Sequence, residues 1–473
     1  MLLVAVTGAV GAGKTTRLAA LAAWAQARGK RVDGFLARAG ERPGSGKPAA
    51  RYDLEWIASG ETTPFALRDE AARAETGVPY RFDADTSARV RTWAEGLAED
   101  PPDLVLLDEF GRAEAEGHGH LPAWPAIVAA DPAVVVIAAR EEWVEGLEAR
   151  LGRPFDARVD AAAPEADDRL RALCTEHDDW TRVGLYGAGA GGIEVTVGSA
   201  LHAGKVPLRG FFLSTTEAVV MAYAGDGLAH RPRVVWVPFV SAGLKALSPA
   251  GNRLRPMLAI TVEGLLFSGA VRALGWNRLA MFAGGALAGA WAGAQGFLLQ
   301  YLLVGRDLLR AYDALVAWAA ARGWGAPGLA ALVAGWVALH ALGAGAITAW
   351  AWRRRRVAAR IERAVERGVR SVPIRERAAS RGEAWRGALR DLTRPSFWLP
   401  IVLVAAVVVA AGAPWERAFW IGVRAATVGL VVFALARRVD PKRIAAWLRR
   451  RGRWGPAEAL DRAVGKRGSH RRA

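Results

Sequence analysis

Residues 1–18 read MLLVAVTGAVGAGKTTRL, and the eight residues from Gly8 to Thr15, GAVGAGKT, decide the first domain. They fit the pattern G-x-x-x-x-G-K-[ST] at every position, and the flanks fit as well. LLVAV (Leu2 to Val6) is a short apolar run suited to a strand buried on both faces. Helical spacing follows through TTRLAALAAWAQARG, with Gly29 as its stop. In such a loop the glycines remove side chains that would keep backbone N–H groups away from phosphate oxygens. The helix behind it adds the positive end of its dipole. Gly8, Ala9, Val10, Gly11, Ala12, Gly13, Lys14, Thr15 and Thr16 are therefore the expected nucleotide-binding residues. Lys14 would reach the β and γ phosphates, and the Thr15 hydroxyl would ligate Mg²⁺, the expected cofactor.

Such a site needs an acidic residue at the end of a neighbouring strand, and LVLLDEFG supplies one. Asp108 closes four apolar residues and is the expected second holder of Mg²⁺. Glu109 follows, placed either to orient or deprotonate an attacking water or to serve the strand end structurally. Lys14, Asp108 and Glu109 form the expected catalytic set. RVDGFLA and VVVIA (Val134 to Ala138) are further strand candidates, and GERPGSGKPAARY (Gly40 to Tyr52) reads as a loop. Strands alternating with helices predict a doubly wound α/β domain with a mostly parallel sheet over residues 1–180. Arg140, just past VVVIAA, stands where sites of open α/β sheets gather, as either a transition-state stabiliser or a solvated arginine. His118 and His120 in GHGH lack further ligands at metal-site spacing and read as solvated.

Composition points the rest of the chain at lipid. Of 473 residues 52% are hydrophobic, mean hydropathy is positive, and 20 Trp outnumber 6 Tyr, a bias typical of membrane interfaces. The net charge of +17 sits in two blocks: residues 353–396 hold 14 Arg against 5 acidic residues, and 437–473 hold 13 Lys/Arg against 3. The remainder is close to neutral. Both blocks flank apolar runs, as cytoplasmic loops do, so the basicity is read as membrane orientation and no nucleic-acid partner is expected. The single cysteine, Cys174, excludes an internal disulfide or a cysteine-based zinc site. The N-terminus has no basic segment before its apolar start and does not read as a signal peptide.

Residues 181–209 read as a linker. An all-α, multi-span membrane domain is expected over 210–352, a basic amphipathic cytoplasmic segment over 353–396, a transmembrane hairpin over 397–436 and a basic cytoplasmic tail over 437–473. Six spans in total put the N-terminal domain and the C-terminus on the cytoplasmic side of a cell inner membrane. Within the apolar runs, Lys245, Arg253 and Arg255 surround a turn at Ser248-Pro249-Ala250-Gly251-Asn252, and Glu263 and Glu217 interrupt lipophilic stretches. An ionisable residue at membrane depth is costly unless it is paired or lines a cavity, so either a structural ion pair or a functional role fits these two.

GAVGAGKTT, DGF after the first helix, and DEFGRAEAEG together resemble the THEP-type nucleoside triphosphatases over about residues 1–175. The resemblance implies slow hydrolysis of ATP, GTP and other nucleotides, with Gly8, Gly13, Lys14, Thr15, Asp108 and Glu109 at matching positions and Glu114 near an acidic one. The Asn-Arg pair usual near that family's end is replaced here by VDAAAPEADD. SPAGNRLRPM…EG and the helix layout of 195–352 are similar to the substrate-binding membrane subunits of energy-coupling-factor transporters. That likeness implies a small micronutrient as transport substrate and other transporter subunits as partners. Three functions fit the whole: a membrane-anchored nucleoside triphosphatase coupled to a transport-like domain, a transport subunit with a nucleotide-sensing module, and a small-molecule kinase.

Overall fold

Leu2–Thr7 forms β1, and all six of its residues are buried, as an unbroken apolar run inside a parallel sheet requires. The computed structural model describes residues 1–40, 49–73, 78–198, 201, 208–247, 254–323, 328–354, 356–357, 359–361, 363–365, 381–393, 395–436 and 440–465. The chain divides into two compact units, Met1–Asp178 and Asp179–Ala473.

The first unit is built on one mixed sheet of eight strands: β1, β2 (Val32–Ala39), β3 (Arg51–Trp56), β4 (Thr62–Arg68), β5 (Tyr80–Phe82), β6 (Leu104–Leu107), β7 (Val134–Ala138) and β8 (Ala157–Asp160). Their order across the sheet is β5-β4-β3-β2-β6-β7-β1-β8. β2, β6, β7, β1 and β8 run parallel, whereas β3, β4 and β5 extend the sheet antiparallel from β2. The sheet is thus mixed, with five of its eight strands in the expected parallel arrangement. The cause is RYDLEW, whose buried Tyr52, Leu54 and Trp56 alternate with less buried residues, the period-two pattern of a strand. Part of the expected Gly40–Tyr52 loop is therefore β3, and its residues 41–48 lie outside the described residues.

Helices α1 (Lys14–Gln26), α2 (Ala84–Gly96), α3 (Arg112–Glu116), α4 (Trp124–Ala130) and α5 (Val144–Leu151) complete the unit. One core joins Leu3, Phe35, Leu54, Val105, Leu107 and Ile137 with Val90 of α2 and Ile127 of α4. Each such side chain contributes about 1.5–3 kcal/mol by leaving water. Gly34 sits in mid-strand at φ +115°, and a Cβ there would lie 2.0 Å from the Leu106 carbonyl oxygen on β6. The glycine of DGF is thus what allows β2 to pair with β6.

The second unit is helical. Its elements are α6 (Ala166–Ile193, which crosses the division between the units), α7 (Arg209–Asp226), α8 (Trp236–Leu247), α9 (Leu254–Leu274), α10 (Arg278–Val304), α11 (Asp307–Ala320), α12 (Leu329–Ala351), α13 (Arg381–Leu392), α14 (Pro395–Ala410), α15 (Trp415–Ala436), α16 (Pro441–Arg450) and α17 (Trp454–Gly465). Among the described residues, three helical stretches are long and apolar enough to cross a membrane: Pro256–Leu274, Arg278–Val304 and Leu329–Ala351. The six-span reading goes further than this. α8, with its 12 residues, rises only about 18 Å and is too short to cross a bilayer alone.

Two of the expected connecting segments contain helix. The linker read at 181–209 is helix as far as Ile193, and its glycines are packing positions: a Cβ on Gly187 would meet Val240 at 2.6 Å, and one on Gly189 would meet Val365 at 2.5 Å. The basic tail is also folded in part. Ala445 and Leu448 of α16 and Ala457, Ala459 and Leu460 of α17 lie in the unit's core. Arg449 and Arg462 both pair with the buried Glu458, at 3.0 and 2.9 Å. The same close packing joins α10 to α12, where a Cβ on Gly289 would stand 2.3 Å from the His340 carbonyl oxygen. The turn expected at 248–252, with Arg253, lies outside the described residues.

Candidate functional site

The carboxyl ends of β1, β6, β7 and β8 lie along one edge of the sheet, because these strands run parallel. Loop hydrogen bonds bind those ends together: Ala139 N–H donates to the Val6 carbonyl at 3.0 Å, Phe110 N–H to Ala138 at 3.2 Å, and Ala161 N–H to Thr7 at 2.8 Å. The GAVGAGKT loop leaves β1 at this edge. Gly8, Gly11 and Gly13 all have positive φ, and a Cβ on Gly8 would come within 2.9 Å of Ala12 Cβ. The residue type is therefore set by the curl of the loop. α1 begins at Lys14 with Gly13 as its N-cap and no side-chain cap.

Lys14 folds back over the loop, its Nζ donating to the Gly8 carbonyl at 2.8 Å and the Ala9 carbonyl at 2.9 Å. One residue on, the half-buried Thr15 brings its side chain beside the Asp108 carboxyl and favours its charged form. Asp108 is 1% exposed. It also accepts the Ala37 N–H at 3.1 Å and the Glu109 N–H at 3.0 Å. Burial pushes its carboxyl above the ordinary carboxylate range, opposed by these hydrogen bonds and by the nearby Lys14 ammonium. The loop, Lys14, Thr15 and Asp108 are thus brought together. Glu109 is exposed beside them, with its backbone in the left-handed region at φ 50°, which is uncommon for a residue with a side chain. Arg140 follows β7, the strand between β1 and β6, and makes a 3.7 Å ion pair with Glu142. Thr16 is exposed on α1.

Glu114 has a role the sequence did not disclose. It is buried on α3, accepts the Gly111 N–H at 2.7 Å and the His120 N–H at 2.9 Å, and so pins the segment that follows Asp108 and Glu109. His118 is exposed, but the expectation of a solvated His120 is corrected: it is 3% exposed and stacks on Phe65 at 4.4 Å between ring centroids. Burial pushes the His120 imidazole down to about 3, so it is uncharged. Two further residues at this edge went unread. Arg17, one turn after Lys14, donates to the Ala161 carbonyl at 3.2 Å and pairs with Asp167 at 3.1 Å. Asp160 closes β8 as Asp108 closes β6, and its Oδ1 lies 3.7 Å from the point where a Gly8 Cβ would stand. The signal for Asp160, an acid ending the short strand ARVD, was present in VDAAAPEADD.

The family model DUF2478, described as a protein of unknown function, matches residues 3–151, which include the glycine loop, Asp108 and Glu114. No curated protein and no solved structure matches the chain.

Burial raises the Glu114 carboxyl from 4.5 to about 7 in the folded chain. The folded state therefore holds a proton that the unfolded state has lost, so stabilisation is full below pH about 4.5 and declines until pH about 7, by up to about 3 kcal/mol. Hydrogen exchange of the segment 109–121, corrected for intrinsic rates, should show protection falling across that window in the wild type. In Glu114→Gln that dependence should be absent and protection lower throughout, because one backbone N–H loses its acceptor.

Proposed function

We propose that the N-terminal unit is a Mg²⁺-dependent nucleoside triphosphatase of the P-loop class, hydrolysing ATP- or GTP-type nucleotides, and that the helical unit holds it at a membrane. The observation that carries this reading is the placing of the Thr15 side chain beside the Asp108 carboxyl, next to a glycine loop that already cradles the Lys14 ammonium. A hydroxyl and a carboxylate side by side are hard oxygen donors, the set Mg²⁺ prefers, so the residues present fit the ion. When bound, Mg²⁺ neutralises charge on the phosphate oxygens.

The remaining roles belong to the chain. Backbone N–H groups from Gly8 to Thr15 would grip the β phosphate and Lys14 would swing from the Gly8 and Ala9 carbonyls to the terminal phosphates. Exposed Glu109, held at a fixed backbone angle next to Asp108, would orient the attacking water and take its proton. Glu114 would act as a positioning residue for that segment through Gly111 and His120. The reading extends to nucleotide turnover regulating capture or passage of a small solute by the helical unit, with both termini on the cytoplasmic side of the inner membrane.

Phosphate release by the full chain in lipid nanodiscs tests the proposal. Wild type should release phosphate slowly from ATP or GTP and stop when EDTA removes Mg²⁺. Lys14→Ala and Glu109→Gln should each lower the rate about a hundredfold or more. Glu109→Gln should keep its nucleotide affinity, since Glu109 touches the water and not the phosphates. Nucleotide binding without any release by the wild type would point instead to a sensing module, and release only on adding a small alcohol to a kinase.

A further inference from the structure

α6 ends in a π turn, Glu194–Gly198, and this turn carries a carboxylate into the interior of the second unit. Glu194 is 8% exposed, Glu217 on α7 is 7%, Glu263 on α9 is 5% and Lys245 on α8 is 3%. Four ionisable side chains from four segments thus share an apolar interior, and their charges do not balance. The Lys245 Nζ lies 3.6 Å from the Glu194 carboxylate and donates to the Glu194 carbonyl at 3.2 Å. Glu217 is near enough to Glu194 to repel it, and Glu263 near enough to both. Among the described residues, one ammonium therefore faces three carboxyl groups. Glu217 Oε1 is buried and, among the described residues, has no hydrogen-bond partner. Beside it, between α6 and α7, lies a cavity of about 10 Å³ lined by Ala190, Ile193, Glu194, Thr216 and Glu217, with room for one water-sized occupant.

We propose that this cavity binds one small, dehydrated monovalent cation, of the size of a sodium ion, between the carboxylates of Glu217 and Glu194. Charge is the first reason. A buried carboxylate with no counter-charge costs several kcal/mol, and a single cation here would offset half of the surplus that Lys245 leaves. Size is the second, since the cavity has room for one water-sized occupant. The donor set is the third. Among the described residues no group of three His, Cys, Asp or Glu side chains is arranged to hold a metal ion, so a divalent ion lacks its ligands, whereas two carboxylates suit a single positive charge. The π turn is the fourth, because such turns interrupt regular backbone pairing and recur at functional sites. The site lies wholly within the second unit and does not rest on the nucleotide reading.

Equilibrium binding of radiolabelled Na⁺ to the full chain in nanodiscs decides the matter. Wild type should bind one ion per chain saturably. Glu217→Gln, close in shape and monodisperse on gel filtration, should bind at least about tenfold more weakly, the scale set by losing one of two buried charge partners. Lys245→Met should bind more tightly, because Glu194 is freed from its internal partner, and a merely damaged fold does not gain affinity. Lys14→Ala should bind as wild type does, which separates this site from the nucleotide site. No saturable Na⁺ binding by folded wild type, or undiminished binding by folded Glu217→Gln, overturns the proposal. Should Lys245→Met fail to fold, the Glu217→Gln comparison decides alone.

Discussion

The meeting of the Thr15 side chain with the Asp108 carboxyl links two strands that do not touch. β7 lies between β1 and β6, so only side chains reaching past its carboxyl end connect the glycine loop to the acidic residue. That reach requires the three strands to end level, which the parallel register provides: Val6 pairs with Ala138 and Leu107 with Ile137. A buried carboxyl is tolerated there because two backbone N–H groups satisfy it, one on each oxygen, with the Thr15 side chain beside them. Glu114 then fixes the chain just beyond, so that the exposed Glu109 is presented from a segment anchored on both sides.

Much of this edge was legible before any coordinates. Unbroken apolar runs at LLVAV, LVLLD and VVVIA mark strands buried on both faces, and each occurs where expected. The glycine loop is legible because its spacing is dictated by backbone curl, a local property. What escaped depends on distant partners. β3 and β4 follow a Gly- and Pro-rich stretch and pair antiparallel at one side of the sheet, and their weak alternation was outweighed by that composition. Glu114 looks like any surface glutamate of a short helix until His120 folds back over it. His120, in a glycine-rich stretch, is buried only because Phe35, Phe65 and Phe110 converge from three separate segments.

The helical unit shows the same limit in another form. GLYGAGAGG reads as a flexible linker in water, where glycine favours the unfolded chain. Inside a tightly packed helical unit the same residues let backbones approach, and Gly184, Gly187, Gly189 and Gly191 each face a neighbouring segment at contact distance. Charge placement was likewise only half informative. The Arg-rich tail holds α16 and α17, whose small apolar faces join the core while Arg449 and Arg462 pair with Glu458. Net charge counted along the chain did not reveal that pairing.

The most direct test of the central claim is a double-mutant cycle on Mg²⁺-nucleotide affinity, using Thr15→Ala, Asp108→Asn and the pair, read with a fluorescent ATP analogue on the full chain. If the two side chains serve one ion, each single change should weaken binding and the pair should cost little more than the worse single, a coupling of about 1–3 kcal/mol that disappears without Mg²⁺. Additive losses, or affinities indifferent to Mg²⁺, would contradict the account and leave the two side chains purely structural neighbours.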